Sequence, residues 1–378
     1  MNLRQMLVEM LSKGASDLHI RVGIRPTLRV DGVLTPINTA PMSKDDLNEV
    51  INQILTPEQQ KRFLARNEMD LALSVAKLGR FRINLFRQRG TIGIALRAVN
   101  TTVPTFEELY LPPIIKKIAE NRRGLVIVTG TTGSGKSTTL ASMIEHVNAN
   151  RKDNILTIED PIEYIYRDKE SIVSQREVGG DTPSFTSALR HAFRQDPDTI
   201  LIGEIRDADT MSTALSAADT GHFVLTTLHT MNVIETVSRI ISFFPPHQHQ
   251  QIRLLLAGTL KSIICQRLLS RADRPGRVPA VEVMVSTGSI RECLIKPDRT
   301  MEIQDLIESG GVQYGMQSFD QSIMKLYKQG LISFEEAMSN ASNPDDFDLR
   351  VKGIVGASDR WQMDQKAASE AATDDYLS

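Results

Sequence analysis

Cysteine is nearly absent: Cys265 and Cys293 are the only two in 378 residues. They form no CxxC pair, which excludes a disulfide framework and a cysteine-based structural zinc and points to a reducing compartment. Aromatic residues are scarce too, at 5% with a single Trp, yet 41% hydrophobic and 24% charged residues are the proportions of an ordinary folded protein. Two or three domains are expected for this length. Neither sign of charge dominates, since 44 Lys and Arg against 46 Asp and Glu leave a formal net charge of −2. No global positive field gathers nucleic acid or acidic lipid, so no nucleic-acid partner is expected. No apolar run approaches the roughly 18 residues of a membrane span. The start, MNLRQMLVEMLSKG, has charges interrupting its apolar residues, unlike a signal peptide. A cytoplasmic chain is expected.

The first hundred residues alternate short strand patterns with amphipathic helices, as in an α+β domain. Leu3, Met6, Leu7 and Met10 share one helical face, and so do Leu47, Val50, Ile51 and Ile54. Thr27 to Ile37 reads as a hairpin turning at Asp31-Gly32. Phe81, Ile83 and Leu85 alternate with Arg80, Arg82 and Asn84, a strand with one packed face and one polar face, and Ile92 to Val99 forms a neighbour that carries Arg97. Pro104, Pro112 and Pro113 mark residues 101–113 as a linker between a domain at 1–100 and a second at 114–352. In the second domain the runs LVIVTG, ILTIED, TILIGE and FVLTTLH alternate with helical stretches, the habit of an α/β fold with a largely parallel sheet. From Gln248 onward the pattern is expected to be mostly helical. There the amphipathic stretch Ser318 to Gln329 suits either core packing or docking, and Gly330 ends it. Residues 353–378 are polar, acidic and alanine-rich, and are expected to be a disordered tail.

GTTGSGKS, at 130–137, lies between a strand run and a helix start, where a phosphate-binding loop needs to be. Gly130, Gly133 and Gly135 let the backbone wrap around phosphates, with Thr131, Thr132, Ser134 and Thr138 completing the loop and first helical turn. Lys136 is placed to reach the β- and γ-phosphates and Ser137 a Mg²⁺. Hydrolysis needs acids as well. Glu159, Asp160 and Glu163 follow one apolar run and Glu204 follows another, so these carboxylates belong at the carboxyl edge of a sheet, where open α/β sheets bind ligands. His222 and His229 flank a further apolar strand, and a histidine beside a triphosphate can respond to γ-phosphate charge.

In order, GTTGSGKST, TIEDPIEY, QREVGGDTPSF, ALRHAFRQDPD, GEIRD and TGHFVLTTLHT resemble the secretion-type ATPase superfamily and most closely its PilT/PilU twitching-motility branch. The resemblance covers the chain from SDLHI to about Ala341. It implies a RecA-like P-loop ATPase domain preceded by a PAS-like domain, with ATP and Mg²⁺ as ligands. It further implies that Glu163, in the Asp box, orients water, that Glu204, in the Walker B element, coordinates Mg²⁺, and that His229, in the His box with His222, responds to the γ-phosphate. An arginine from the first domain would reach the nucleotide, and Arg80, Arg82 and Arg97 are the candidates. The family further implies a homohexamer at the inner membrane, docked on a pilus platform protein, with a paralogous PilT/PilU ring as a further candidate partner. The absence of CxxC motifs favours the retraction branch over assembly and type II secretion ATPases. SIRECLIK departs from the AIRNLIRE-like motif of PilT, whereas the helical ending and DDYLS resemble PilU. Three readings follow: a retraction motor, an accessory PilU-like ATPase, and a related DNA-transfer motor, against which the near-neutral charge argues.

Overall fold

The structure, a computed structural model, describes residues 2–353. The expected acidic tail lies outside the described residues from 354 onward. In chain order the strands are β1 (Asp17–Arg21), β2 (Thr27–Val30), β3 (Val33–Pro36), β4 (Glu68–Val75), β5 (Gly79–Gln88), β6 (Thr91–Ala98), β7 (Gly124–Thr129), β8 (Asn154–Glu159), β9 (Ile172–Glu177), β10 (Thr199–Ile202), β11 (Phe223–Leu228), β12 (Leu260–Ser270) and β13 (Arg277–Val285). Residues up to Val103 group with Asn148–Gln195 in one compact unit, and Pro104–Val147 groups with the chain from Asp196 onward in a second. This differs from the single boundary expected at 101–113. Segment 148–195 belongs with the amino-terminal residues because Asn100 pairs with Tyr164, Arg82 of β5 bonds to the turn after β8, and Arg80 of β5 pairs with Glu177 of β9.

The first unit contains an antiparallel sheet of order β3-β2-β1-β6-β5-β4. Its first helix, Leu3–Ser12, begins with a capping box between Asn2 and Gln5, and the predicted face of Leu3, Met6, Leu7 and Met10 is buried. The helix Lys44–Ile54 has the same device in Ser43 and Asp46 and buries Leu47, Val50, Ile51 and Ile54. Asp31 and Gly32 both take positive φ, 47° and 81°, so the hairpin between β2 and β3 turns where the sequence placed it. Phe81, Ile83 and Leu85 are fully or almost fully buried, which aims Arg80 and Arg82 at the opposite face of β5. The same unit holds β8 and β9, a parallel pair in register from Asn154↔Ile172 to Glu159↔Glu177.

The second unit is built on β13-β12-β7-β11-β10, in which β12, β7, β11 and β10 run parallel and β13 antiparallel. Every residue of β7, β10 and β11 is buried, as expected for strands covered on both faces. The described chain after Gln248 is mostly helical, as expected, but it also contributes β12 and β13. Ile263, Ile264, Val278, Val281 and Val283 are β-branched and buried, so this stretch adds strands to the sheet edge before helices resume at Gly288. The helix Phe319–Lys328 buries Phe319, Ser322, Ile323 and Leu326, and Ser322 Oγ accepts the Val281 N–H of β13, so its apolar face is core. Among the described residues no helix is long and apolar enough to cross a membrane.

Candidate active site

In the second unit the strand β7 runs directly into the glycine-rich loop, and the helix Lys136–Asn150 leaves it. Gly130, Gly133 and Gly135 take φ of 141°, 80° and 91°. A side chain at Gly130 would also collide, since a Cβ there would lie 2.4 Å from the Gln266 carbonyl oxygen. The loop is thus a backbone path that only glycine follows at this position. Lys136 is 8% exposed, and its Nζ donates to the carbonyls of Gly130 (2.8 Å) and Thr131 (2.9 Å), which hold the ammonium across the loop. Ser134 Oγ is buried without a hydrogen-bond partner, while Ser137 is exposed in the first helical turn. Gln266, absent from the expected site, ties β12 to the first turn of the helix that leaves the loop: its Nε2 donates to Thr139 Oγ1 (2.8 Å). A cavity of about 330 Å³ adjoins the loop, lined by Ser134, Gly135 and Thr138 on one side and Tyr110, Arg271 and Arg274 on the other. Arg271 stacks 4.6 Å over the Tyr110 ring and Arg274 donates to the Tyr110 hydroxyl.

Two more expected residues meet beside this loop. The register Leu228↔Thr129 places His229, just past β11, next to Gly130, just past β7. Thr227 Oγ1 donates to the Gly203 carbonyl, and Ile205 N–H to the Thr227 carbonyl, so the segment after β10 is stitched to β11. His229 Nε2 consequently lies 3.1 Å from Glu204 Oε2. Arg206 pairs with the other carboxylate oxygen. Burial opposes ionisation of Glu204, but the hydrogen bonds from Arg206 and His229 outweigh it and hold the carboxyl below the ordinary range. His222 is placed differently. It precedes β11 at the opposite, amino end, where Nδ1 contacts the Ala217 carbonyl (3.0 Å), and it does not join the group around the loop.

The remaining candidates lie in the first unit. Glu159 ends β8, and the chain turns through Pro161 and Ile162 to Glu163, whose side chain is 47% exposed. Both polar groups of the Ile162 peptide are held. Its N–H donates to Glu177 Oε2 (3.2 Å), and its carbonyl accepts from Arg82 Nη2 (2.7 Å) and Nε (3.2 Å). Arg82 also approaches Glu163 at 3.9 Å, and Arg80 pairs with Glu177 at 3.2 Å. Arg97 is bonded instead to Asp17 (2.8 Å), away from the turn. Glu159 is buried, which pushes its carboxyl above the ordinary range despite hydrogen bonds from Thr157 and Gln175. Its second oxygen accepts the Glu163 N–H (3.3 Å), so Glu159 frames the turn. Glu177 and Gln175 were not singled out as site residues. They lie in QREVGG, whose alternation marks a strand but does not reveal that its inward acids and amides grip the neighbouring turn.

Comparison with known proteins agrees with this arrangement of motifs. The Type II/IV secretion system protein family matches residues 1–312. The chain is 41% identical over 376 residues to the Type IV pilus ATPase PilU of Pseudomonas aeruginosa, covering 99% of this chain and 98% of that one. It is also 41% identical over 347 residues to the Type IV pilus retraction ATPase PilT of the same organism, covering 92% and 100%. The crystal structure of the pilus retraction motor PilT with bound ADP superposes with a TM-score of 0.84 at 39% identity, covering 92% of this chain and 98% of that one. The α/β ATPase fold is therefore shared, and the chain belongs to the Type II/IV secretion system protein family.

Proposed function

We propose that the chain is the subunit of a hexameric ATP-hydrolysing motor that powers type IV pilus retraction from the cytoplasmic side of the inner membrane, docked on the pilus platform protein. The observation that carries this reading is the convergence of Lys136, Glu204 and His229 at the carboxyl edge of one parallel sheet, in a chain 41% identical to PilT and PilU. In this reading the loop N–H groups and the helix start bind phosphate oxygens, and Lys136 exchanges its two carbonyl partners for the β- and γ-phosphates. The 330 Å³ cavity beside Tyr110 takes the base and ribose.

The residues present fit Mg²⁺. Among the described residues no cluster of three or more acidic, His or Cys side chains could hold a metal alone. An ionised Glu204 and an exposed Ser137 suit a cation that takes most of its ligands from phosphate and water. When bound, Mg²⁺ neutralises charge on the phosphate oxygens. Glu163 orients the attacking water, and Arg82, bonded to the same turn, arrives at the nucleotide with it. His229, already on Glu204, reports the γ-phosphate to the Walker B carboxylate. These roles make the approach of the Glu163 turn to the phosphate loop part of the cycle, which links chemistry to movement.

The test is complementation of a type IV piliated bacterium that lacks its retraction ATPases. The intact chain is expected to restore twitching, and Lys136→Ala is expected to fail. A specific observation supports a second reading, an accessory PilU-like ATPase: the match to PilU runs 376 residues against 347 for PilT. Restoration of twitching only when a PilT ring is also present would select it.

A further inference from the structure

Beneath the phosphate loop, in the second unit, three strands bring a row of polar side chains together. Register places Thr129 of β7 beside Cys265 of β12, and Cys265 beside Glu282 of β13, so the three side chains share one face of the sheet. All three are buried, with Thr129 and Cys265 at 0% exposure and Glu282 at 2%. Thr129 is the last residue before the loop, and its buried hydroxyl meets the Cys265 thiol. At the other end of the row, Glu282 Oε2 accepts the backbone N–H of Val233 at 2.9 Å. Val233 is the first residue of the helix Val233–Ser242, four positions after His229.

The segment from His229 to Val233 is tied down at nearly every residue. Thr230 Oγ1 meets Thr236 Oγ1 at 2.7 Å, the Met231 N–H donates to Glu235 Oε2 (2.8 Å), and Asn232 caps the helix. Those bonds are internal to the segment and its own helix. Glu282 ties the first N–H of the helix to the sheet, and the Cys265 thiol meets Thr236 one turn on. A buried carboxylate is costly unless it is paired, and here it meets one of the N–H groups that a helix start leaves without an intrahelical partner. Burial raises the Glu282 carboxyl above its ordinary range, with the Val233 N–H and the Cys265 thiol working the other way. Burial, followed by the charge of Glu282, drives the Cys265 thiol well above its own.

We propose that Glu282 is a positioning residue for γ-phosphate response: by holding the Val233 N–H, it fixes the turn that presents His229 to Glu204 relative to the strand that ends in the phosphate loop. The inference rests on the His-box role proposed above. A shift of about 1 Å in a group aligned for reaction costs on the order of 100-fold in rate, and the reach of the carboxylate from β13 sets that alignment.

The experiment compares Glu282→Gln, which keeps an acceptor at the same reach, with Glu282→Asp, which keeps the charge but withdraws it by one methylene. Turnover and KM for ATP are measured on the full chain, with affinities for a fluorescent ADP and a non-hydrolysable ATP analogue. Glu282→Asp is expected to lose about tenfold or more in kcat and to weaken binding of the ATP analogue while leaving ADP binding intact. Glu282→Gln is expected to retain turnover. Unchanged kcat in Glu282→Asp overturns the proposal, and so does loss of ADP binding in parallel with kcat. Failure of Glu282→Asp to fold also overturns it, because Glu282 is then a stability residue. His229→Ala run in parallel separates the two ideas: full turnover in that variant removes the His-box reading itself, whereas loss there with none in Glu282→Asp removes only the role of Glu282.

Discussion

Lys136 and Glu163 are both charged residues assigned to the same reaction, but their surroundings give them separable roles. Lys136 is buried in the loop with its ammonium on two carbonyls, so its contribution is to binding. Lys136→Ala should weaken nucleotide binding about 10- to 100-fold, the worth of hydrogen bonds from a charged donor, as read by fluorescent ADP titration. Glu163 is half exposed at the end of a held turn, and its proposed role is confined to the attacking water. Glu163→Gln should bind ATP normally and lose about 10²- to 10⁴-fold in turnover; full turnover would remove the Asp-box assignment. Glu159, four residues earlier, gives a pH prediction. Its folded-state carboxyl is raised above 4.5 by burial, so the folded protein keeps a proton that the unfolded chain has released. Its contribution to stability is full below the unfolded value and is lost as pH rises through the folded one. The unfolding midpoint of Glu159→Gln should therefore fall less than that of the intact chain as pH rises above the ordinary carboxylate range, and identical pH slopes would refute the assignment.

At the scale of elements, the phosphate loop has the sharpest geometry. Gly130→Ala combines a φ of 141° with a Cβ 2.4 Å from a backbone oxygen that a rotamer change cannot move. It should cost about 1–3 kcal/mol for the backbone alone, visible as a lowered thermal midpoint, with nucleotide binding lost alongside. Elements were legible in the sequence where a single physical rule decides them. Asp31-Gly32 specifies its turn by positive φ, Leu47, Val50, Ile51 and Ile54 specify their helix by spacing, and β7 and β11 announce themselves as apolar runs beside motif residues. LKSIICQRLLS was harder. Its short apolar runs, broken by Lys261, Ser262, Gln266 and Arg267, fit a buried helix or a buried strand equally well by periodicity, and its identity as β12 depends on pairing with β7, which is distant in sequence, as well as with β13. The site shows the same limit. Glu204 and His229 were legible because each ends a strand run, but Gln266, Glu177 and Glu282 act through partners 127, 15 and 49 residues away.

Across the whole molecule, the residues proposed to act in hydrolysis divide between two compact units. The phosphate loop, Glu204 and His229 belong to one, and Glu163 with Arg82 to the other. The expected linker at 101–113 did not foresee this division, because the bonds from Arg80 to Glu177 of β9 and from Arg82 to the turn after β8 join residues some eighty to a hundred positions apart. A motor follows from such a division if hydrolysis needs both units at the nucleotide, since closing on ATP and opening on ADP then moves protein mass. In the proposed function, a ring supplies the setting in which that movement acts on a pilus. The measurement that tests this most directly is Mg²⁺-dependent ATPase activity across a size-exclusion profile of the full chain, with Glu204→Ala as the control for contaminating activity. Turnover confined to a hexamer-sized species and abolished in Glu204→Ala is the predicted result. Equal turnover in monomer-sized fractions, or nucleotide binding without turnover in any fraction, would contradict the account.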